Sequence, residues 1–438
     1  MLCPSTFAQT NNNPLGQAGV DIDADHVLRV RQVDPRLRQT QLELARKSHN
    51  KVNVAPLRKV SLNRYEQAVA NAVGKGGLDD MMISVAGITR IEYLMYLPGS
   101  KDIVIAGPAE EIIRDANGYT VGLKSGRPTL RLDDLIVALR AYGPNSSSKV
   151  DYISCSIDPT QEGLRNMQQY LSQLGGQVPS NSTVGGIANT MKNALGYQTV
   201  TIHGVPTNTR FAQTLVEADY RMKLIGIGLE QPAIRMKSWL DRVSGNSGSQ
   251  NSLQRWWFEP DYSSVKVSPD GFVLKLEGQG VKLVGEQEHV DRSGNRNASG
   301  KAGDAASRGF TKDFTQKYEE LADTTPVYHA LRNLFDLTVV TAYIRQADMY
   351  SESGWDLGVF ANEEKLPVQF VESPEQVETA VNAVWKGDRL LTPIGGGVMI
   401  DSRKLLKKDA LAASDELTKA QAEASAPADL KDGQWWWD

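Results

Sequence analysis

Apolar positions recur at helical spacing through Phe211, Leu215, Ala218 and Met222, which predicts a helix from about Thr209 to Met222. On that helix Glu217 faces Arg221 and Asp219 faces Lys223. Both are i,i+4 pairs with the acid first, worth about 0.2–0.5 kcal/mol each on a solvated surface. The charge cluster therefore reads as an outer helix face rather than a catalytic site, and the apolar Leu224–Gly228 that follows reads as a buried strand.

The same periodicities divide the rest of the chain. Gly19 to Val30 alternates as a strand, and Arg36 to His49 is a polar helix. Ser61 caps a helix through Leu62, Tyr65, Val69 and Val73. Ile88–Leu97 and Ile103–Ala106 flank a Pro-Gly hairpin turn, and Asp133 caps a further helix. After Asn145–Ser148 strands alternate with helices. Asp158-Pro159 with Gln161 has the form of an N-cap, a proline at the first helical position and a capping box. From Arg255 the pattern is a β-meander turning at Asp270-Gly271. Ser293–Gly309 reads as a loop, and Pro326 opens a core helix reaching about Arg345. Gly397–Asp401 (GVMID) echoes Gly19–Asp23 (GVDID), which suggests two similar strands near the two ends.

The fold class expected from this order is α/β mixed with α+β: a small α/β unit with a partly parallel sheet, a β-meander and a helical C-terminal part. The expected divisions are an arm over 1–18, an α+β domain over 19–145 and an α/β domain over 146–245. A meander with helices follows over 250–410, then an Ala-rich tail over 411–438 ending in WWWD. A chain of 438 residues is long enough for two or three such units.

Composition narrows the function classes. The net charge of −4 supplies no general basic field, so no nucleic-acid partner is expected. No apolar run approaches the roughly 18 to 20 residues of a membrane span. Cys3 and Cys155 form no disulfide framework, and Cys155 in YISCSI reads as a buried thiol. Thr6 and Ala8 suit the end of a signal peptide that has been truncated or removed, or else belong to an ordinary N-terminal arm.

The chemical motifs are weak. Gly294–Lys301 (GNRNASGK) has one residue too many for a phosphate loop, and Ala302 stands where Ser or Thr is needed. Asp21, Asp23 and Asp25 open like a calcium loop, but His26 and Gln32 occupy its glycine and glutamate positions. No histidine has a partner at metal-ligand spacing, so neither a metal nor a cofactor is expected. His203, ending a strand before Gly204, is the best-placed histidine for a ligand site. Trp256 and Trp257 beside Glu259 and Asp261 offer aromatic platforms with carboxylates, a glycan-like combination that an ordinary strand would also show. Trp435, Trp436 and Trp437 are costly to leave in water after so polar a segment. They are expected to dock on the body, another subunit or a partner.

Several phrases resemble a known family. VEADYRMKLIGIGLE, DIVIAGPAEE, GRPTLRLDDLIVALRAYG, SCSIDPTQEGL, RWWFEPDY and GQGVKLV are similar to secreted planctomycete proteins known only as a domain of unknown function. The likeness runs from about Asp102 to Ile344 and implies export to the periplasm or another membrane-bound compartment. It implies no catalytic residues. The function expected is a non-enzymatic structural or scaffolding subunit that self-assembles or holds a protein partner. The alternative is an exported hydrolase or glycan-binding protein using Trp256, Trp257, Glu259 and Asp261.

Overall fold

The computed structural model describes residues 19–31, 35–48, 52–115, 118–144, 150–174, 184–243, 252–290, 293, 295–382, 384–386, 389–391, 395–424, 430–431 and 433–438. The proposed leader residues Thr6 and Ala8, the boundary at Asn145–Ser148 and the connection Gly245–Gln250 lie outside this set.

The architecture is mixed α/β. One sheet has nine strands, in the order Val20–Ile22, Val27–Val30, Gln376–Glu378, Tyr197–His203, Ile153–Pro159, Gly395–Ile400, Ser252–Asp261, Gly280–Val290, Arg296–Ala302. It is partly parallel, through Gly395–Ile400 beside Ser252–Asp261 and Gln376–Glu378 beside Val27–Val30. The alternating strands Ile153–Pro159 and Tyr197–His203 are antiparallel. The echoing GVDID and GVMID segments both contribute strands to this sheet, though not adjacent ones. A second sheet runs Ala412–Ala413, Ser264–Val267, Val273–Glu277, Tyr93–Leu97, Asp102–Glu110, Val54–Ser61, Trp436–Trp437. The meander is thus shared: its outer strands pair in the first sheet and its Asp270-Gly271 hairpin in the second.

Between the sheets lies one continuous apolar core. The Pro326–Gln346 helix is buried along nearly its whole length, from Leu331 and Phe335 to Val339 and Ile344. The Arg210–Gly226 helix, with Thr209 accepting from the Ala212 N–H, packs on strands Ile153–Pro159 and Gly395–Ile400. Aromatic side chains fill the remaining space, with Trp256, Phe258, Phe310, Phe314, Tyr318 and Tyr328 in mutual edge-to-face or tilted contact.

Several local expectations give way to tertiary forces. The Arg210–Gly226 helix continues where a strand was expected, and it is buried all round. Glu217, Asp219, Arg221 and Lys223 are 3%, 0%, 8% and 8% exposed, so the charged face is an interior one. Strand Ile153–Pro159 runs through the expected cap, because Asp158 pairs with Thr199. The following helix, Gln161–Leu174, begins after Thr160, whose Oγ1 accepts from the Gly163 N–H at 3.0 Å. The helix expected to be capped by Asp133 is Leu132–Ala141, which places that aspartate in its first turn. Gly19–Val30 is a hairpin rather than one strand, since the Asp23 carboxylate accepts from the Asp25 and Val27 N–H groups and closes a turn. Ser293–Gly309 holds strand Arg296–Ala302 and the start of helix Ala305–Gln316, capped by Asp304.

Candidate functional site

An apolar groove of about 780 Å³ lies at the end of strand Tyr197–His203. One wall is the second half of the Leu132–Ala141 helix, with Val137, Arg140 and Ala141. The other is the turn and following segment over 363–370, and the loop Gly204–Thr209 closes the end. Its size suits a small ligand or a few residues of polypeptide. Phe370 on the rim is 74% exposed, the largest exposure of any apolar side chain described.

The groove's polar groups are mostly engaged within the chain. Arg140 donates from Nε to Phe360 O (2.7 Å) and from a terminal nitrogen to Leu366 O (2.9 Å), and it lies 3.5 Å from Glu363. Thr209 Oγ1 donates to Pro206 O and caps the Arg210–Gly226 helix. Asn208 O accepts from Val371 N–H. His203, proposed from the sequence, does line the groove. Its ring stacks on Tyr152 at 4.4 Å, and Nδ1–H donates to Tyr152 O at 3.2 Å. A carbonyl can only accept, so that bond puts a hydrogen on Nδ1. Val150, Val205, Val368 and Phe370 meanwhile offer apolar surface, and Glu364 adds acid to the rim.

The other aromatic candidates divide. On strand Ser252–Asp261 alternate side chains face opposite ways. Trp256 is enclosed: its Nε1 donates to Ser307 Oγ at 2.8 Å and its ring abuts Phe310 and Gly226. Trp257, Glu259 and Asp261 share the opposite face and are partly exposed. Trp257 Nε1 donates to Glu259 at 2.9 Å, and Asp261 accepts from Gln279 at 3.2 Å with Lys282 at 3.9 Å. About 14 Å of sheet, three strand spacings, separates Trp257 from the strand that carries His203. The two candidate sets therefore do not converge.

Trp435 and Trp437 are buried, and the segment pairs as a strand with Val54–Ser61. Trp435 stacks on Tyr65 at 4.3 Å, and Arg58 lies 4.1 Å over Trp436 while holding Asp438 through two hydrogen bonds of 2.7 and 2.9 Å. Of the docking options, the one realised in the structure is the protein's own body.

The Arg210–Gly226 helix carries the densest buried charge. Arg221 donates to Glu217 (2.9 Å), to both oxygens of Glu230 (3.0 Å each), to Gly19 O (3.0 Å) and to Arg31 O (2.9 Å). Burial pushes the Glu217 carboxyl up to about 7 against the pull of Arg221. Lys223 donates to Ile157 O at 2.8 Å and lies 3.5 Å from Asp219. Burial lowers the Lys223 pKa and raises that of Asp219 to about 6. Strand Gly395–Ile400 seals this pair: a Cβ on Gly396 would strike Lys223 Cε, Asp219 Oδ1 and Trp256 O. Burial likewise pushes the neighbouring Cys155 thiol well up. The cavity beside Lys223 holds about 10 Å³, room for no more than a water. These groups tie the helix to the sheet and are closed to a substrate. Among the described residues no group of three or more His, Cys, Asp or Glu side chains is placed to hold a metal ion. Of Gly294–Lys301, Gly294 and the side chains from Arg296 onward lie outside the described residues.

Sequence reasoning missed Phe370, Arg140 and the acidic pair Glu363-Glu364. The groove's walls are far apart in sequence and meet only in the fold, and no local pattern marks them. Among the described residues no helix is long and apolar enough to cross a membrane. No curated protein and no solved structure matches the chain. Residues 155–239, which span the Arg210–Gly226 helix, strand Tyr197–His203 and most of strand Ile153–Pro159, match the model of a family described as a protein of unknown function (DUF1598).

Proposed function

We propose that this protein is a non-enzymatic scaffolding subunit that holds a protein partner, and that the His203–Phe370 groove receives an apolar polypeptide segment carrying a basic side chain. One observation carries the reading. The groove engages most of its polar groups with its own backbone and leaves Val150, Val205, Val368 and Phe370 at least partly open. A catalytic pocket would do the reverse and aim unengaged acids, bases or donors at a bound molecule. Glu364 on the rim favours a basic residue in the partner. Export to a periplasmic or other membrane-bound compartment belongs to the same proposal and rests on the resemblance to secreted planctomycete proteins. Fractionation of native cells tests it.

The hydrolase or glycan-binding alternative would rest on Trp257, Glu259 and Asp261. Trp256 is enclosed, and both carboxylates already accept hydrogen bonds from neighbouring side chains, so the groove is the better-supported site.

A photo-crosslinking amino acid in place of Phe370 tests the groove. The expected result is one covalent adduct to a protein partner, formed at that position and absent when the probe replaces exposed Leu229 instead. Phe370→Asp is expected to release the partner while the unfolding midpoint stays unchanged, because the side chain is already exposed. An equal yield of adducts at both positions, or partner retention by Phe370→Asp, would overturn the assignment.

A further inference from the structure

The described residues from Ala412 onward form a strap across the outer face of the seven-stranded sheet. Ala412–Ala413 pairs with Ser264–Val267 at one edge, and Trp436–Trp437 pairs with Val54–Ser61 at the other. The helix Glu416–Glu423 crosses between them over Val273–Glu277 and Tyr93–Leu97. Alternation in those strands sends Leu94, Tyr96, Ile103 and Ile105 to the main core. Met95, Leu97, Val104, Ala106 and Val273 point the other way, into a separate cluster completed by Leu417, Ala424 and Trp437 of the strap.

The strap is held unevenly. Its far end is anchored by the Trp435–Tyr65 stack, the Ser61 N–H to Trp435 O bond (2.9 Å) and the Arg58 fork on Asp438. Its helix meets the sheet through Leu417 and through Gln421, which donates to Tyr96 O at 2.6 Å, beside a cavity of about 420 Å³ lined by Thr418, Gln421, Ala422 and the hairpin Leu97–Ser100. Trp437 Nε1 is buried with no acceptor. The connection to the body is the turn Lys407–Ala410, exposed throughout and following the buried Leu406.

We infer that the strap is exchanged between copies of this chain. The face beneath it is matched to the strap by a shared apolar cluster, by strand edges and by the Arg58–Asp438 charge pair. All of these contacts lie between the strap and the body and are reproduced when the strap comes from a second copy. Opening the Lys407–Ala410 turn without recapture would expose five apolar side chains of the sheet, so a strap released by one molecule is replaced by another's. Reciprocal exchange then keeps every strap contact and changes only the turn, the usual balance that governs swapped dimers. This deepens the scaffolding reading by naming a second copy as a partner. None of the groove-lining residues belongs to the strap or to the sheet it covers, so the groove can fail its own test independently.

Charge reversal across the anchor tests the exchange in the full chain. Arg58→Asp alone leaves two carboxylates facing each other at the anchor, and Asp438→Arg alone leaves two guanidinium groups there. Only a reciprocal exchange between the two variants restores both opposite-charge pairs. Their mixture is expected to sediment as a heterodimer, with association at least tenfold tighter than either variant shows alone. The chain carrying both substitutions, matched internally, is expected to fold and to sediment like the wild type, which shows that the single changes do not prevent folding. Deleting Lys408 and Asp409 shortens the turn and is expected to shift the otherwise unaltered chain to dimers. A mixture that sediments as the sum of its components, or a shortened chain that remains monomeric with its tryptophans buried, would overturn the proposal.

Discussion

Arg221→Met is the sharpest test of the interior charge network. Arg221 makes five hydrogen bonds, to Glu217, to both oxygens of Glu230 and to the carbonyls of Gly19 and Arg31. Methionine fills a similar length of side chain but donates to none of them. The Glu217 side chain is only 5% exposed and that of Glu230 17%, so two carboxylates lose their cation where water cannot replace it. Breaking a buried pair in this way costs about 3–5 kcal/mol. An exposed i,i+4 pair would cost only about 0.2–0.5 kcal/mol. The two cases differ about tenfold, well outside the error of urea unfolding followed by tryptophan fluorescence. The cost has a pH signature as well. A carboxylate with no partner escapes part of its penalty by taking up a proton, so the loss is expected to be smaller at pH 5 than at pH 8. Glu217→Leu combined with Arg221→Met is expected to recover part of the loss, since replacing both charges by apolar groups leaves fewer of them stranded. A loss below about 1 kcal/mol with no pH dependence would refute the buried network and restore the solvated face expected from the sequence.

Three further outcomes follow from the same region. Gly396→Ala places a methyl against Lys223, Asp219 and the Trp256 carbonyl, and is expected to cost about 1–3 kcal/mol or more in urea unfolding. Asp219 is raised by burial to about 6, so its folded form holds a proton more tightly than the unfolded chain does. Its contribution to stability is full below about pH 4 and is lost as pH rises through about 6. Asp219→Asn should therefore flatten that part of the stability curve relative to wild type, and an unchanged difference between pH 4 and 7 would count against the assignment. Cys155, buried and with its thiol held protonated, is expected to react with a thiol reagent only at the rate of unfolding, measured by labelling across a urea series.

Much of the element order was legible in the chain. The Ser61 cap, the helix start near Thr209, the Asp270-Gly271 hairpin and the proline-led core helix depend on a few adjacent residues, and local backbone chemistry is enough to set them. Where neighbours in space outweighed neighbours in sequence, local signals failed. Asp158-Pro159 has the composition of a helix start, yet pairing with Gln198 and Thr199 holds it in the sheet. Leu224–Gly226 looks like a strand, yet it completes the helix, and the Trp256 ring closes on it where Gly226 carries no side chain. Of the candidate site residues, His203 was accessible to a rule about strand ends. Phe370 and Glu363-Glu364 were not, because their segment meets the Leu132–Ala141 helix only after more than 200 residues of intervening chain.

By itself the sequence determined the kinds of element, the mixed α/β class and the absence of any general basic field, because these depend on periodicity and composition summed along the chain. Only the tertiary structure decided which charges lie inside. An i,i+4 pair has the same spacing on an inner and an outer face. Glu217, Asp219, Arg221 and Lys223 became interior when strands from distant parts of the chain closed over the helix. The three tryptophans likewise took their meaning from strand Val54–Ser61, whose edge and arginine turned a costly apolar cluster into the anchor of a strap.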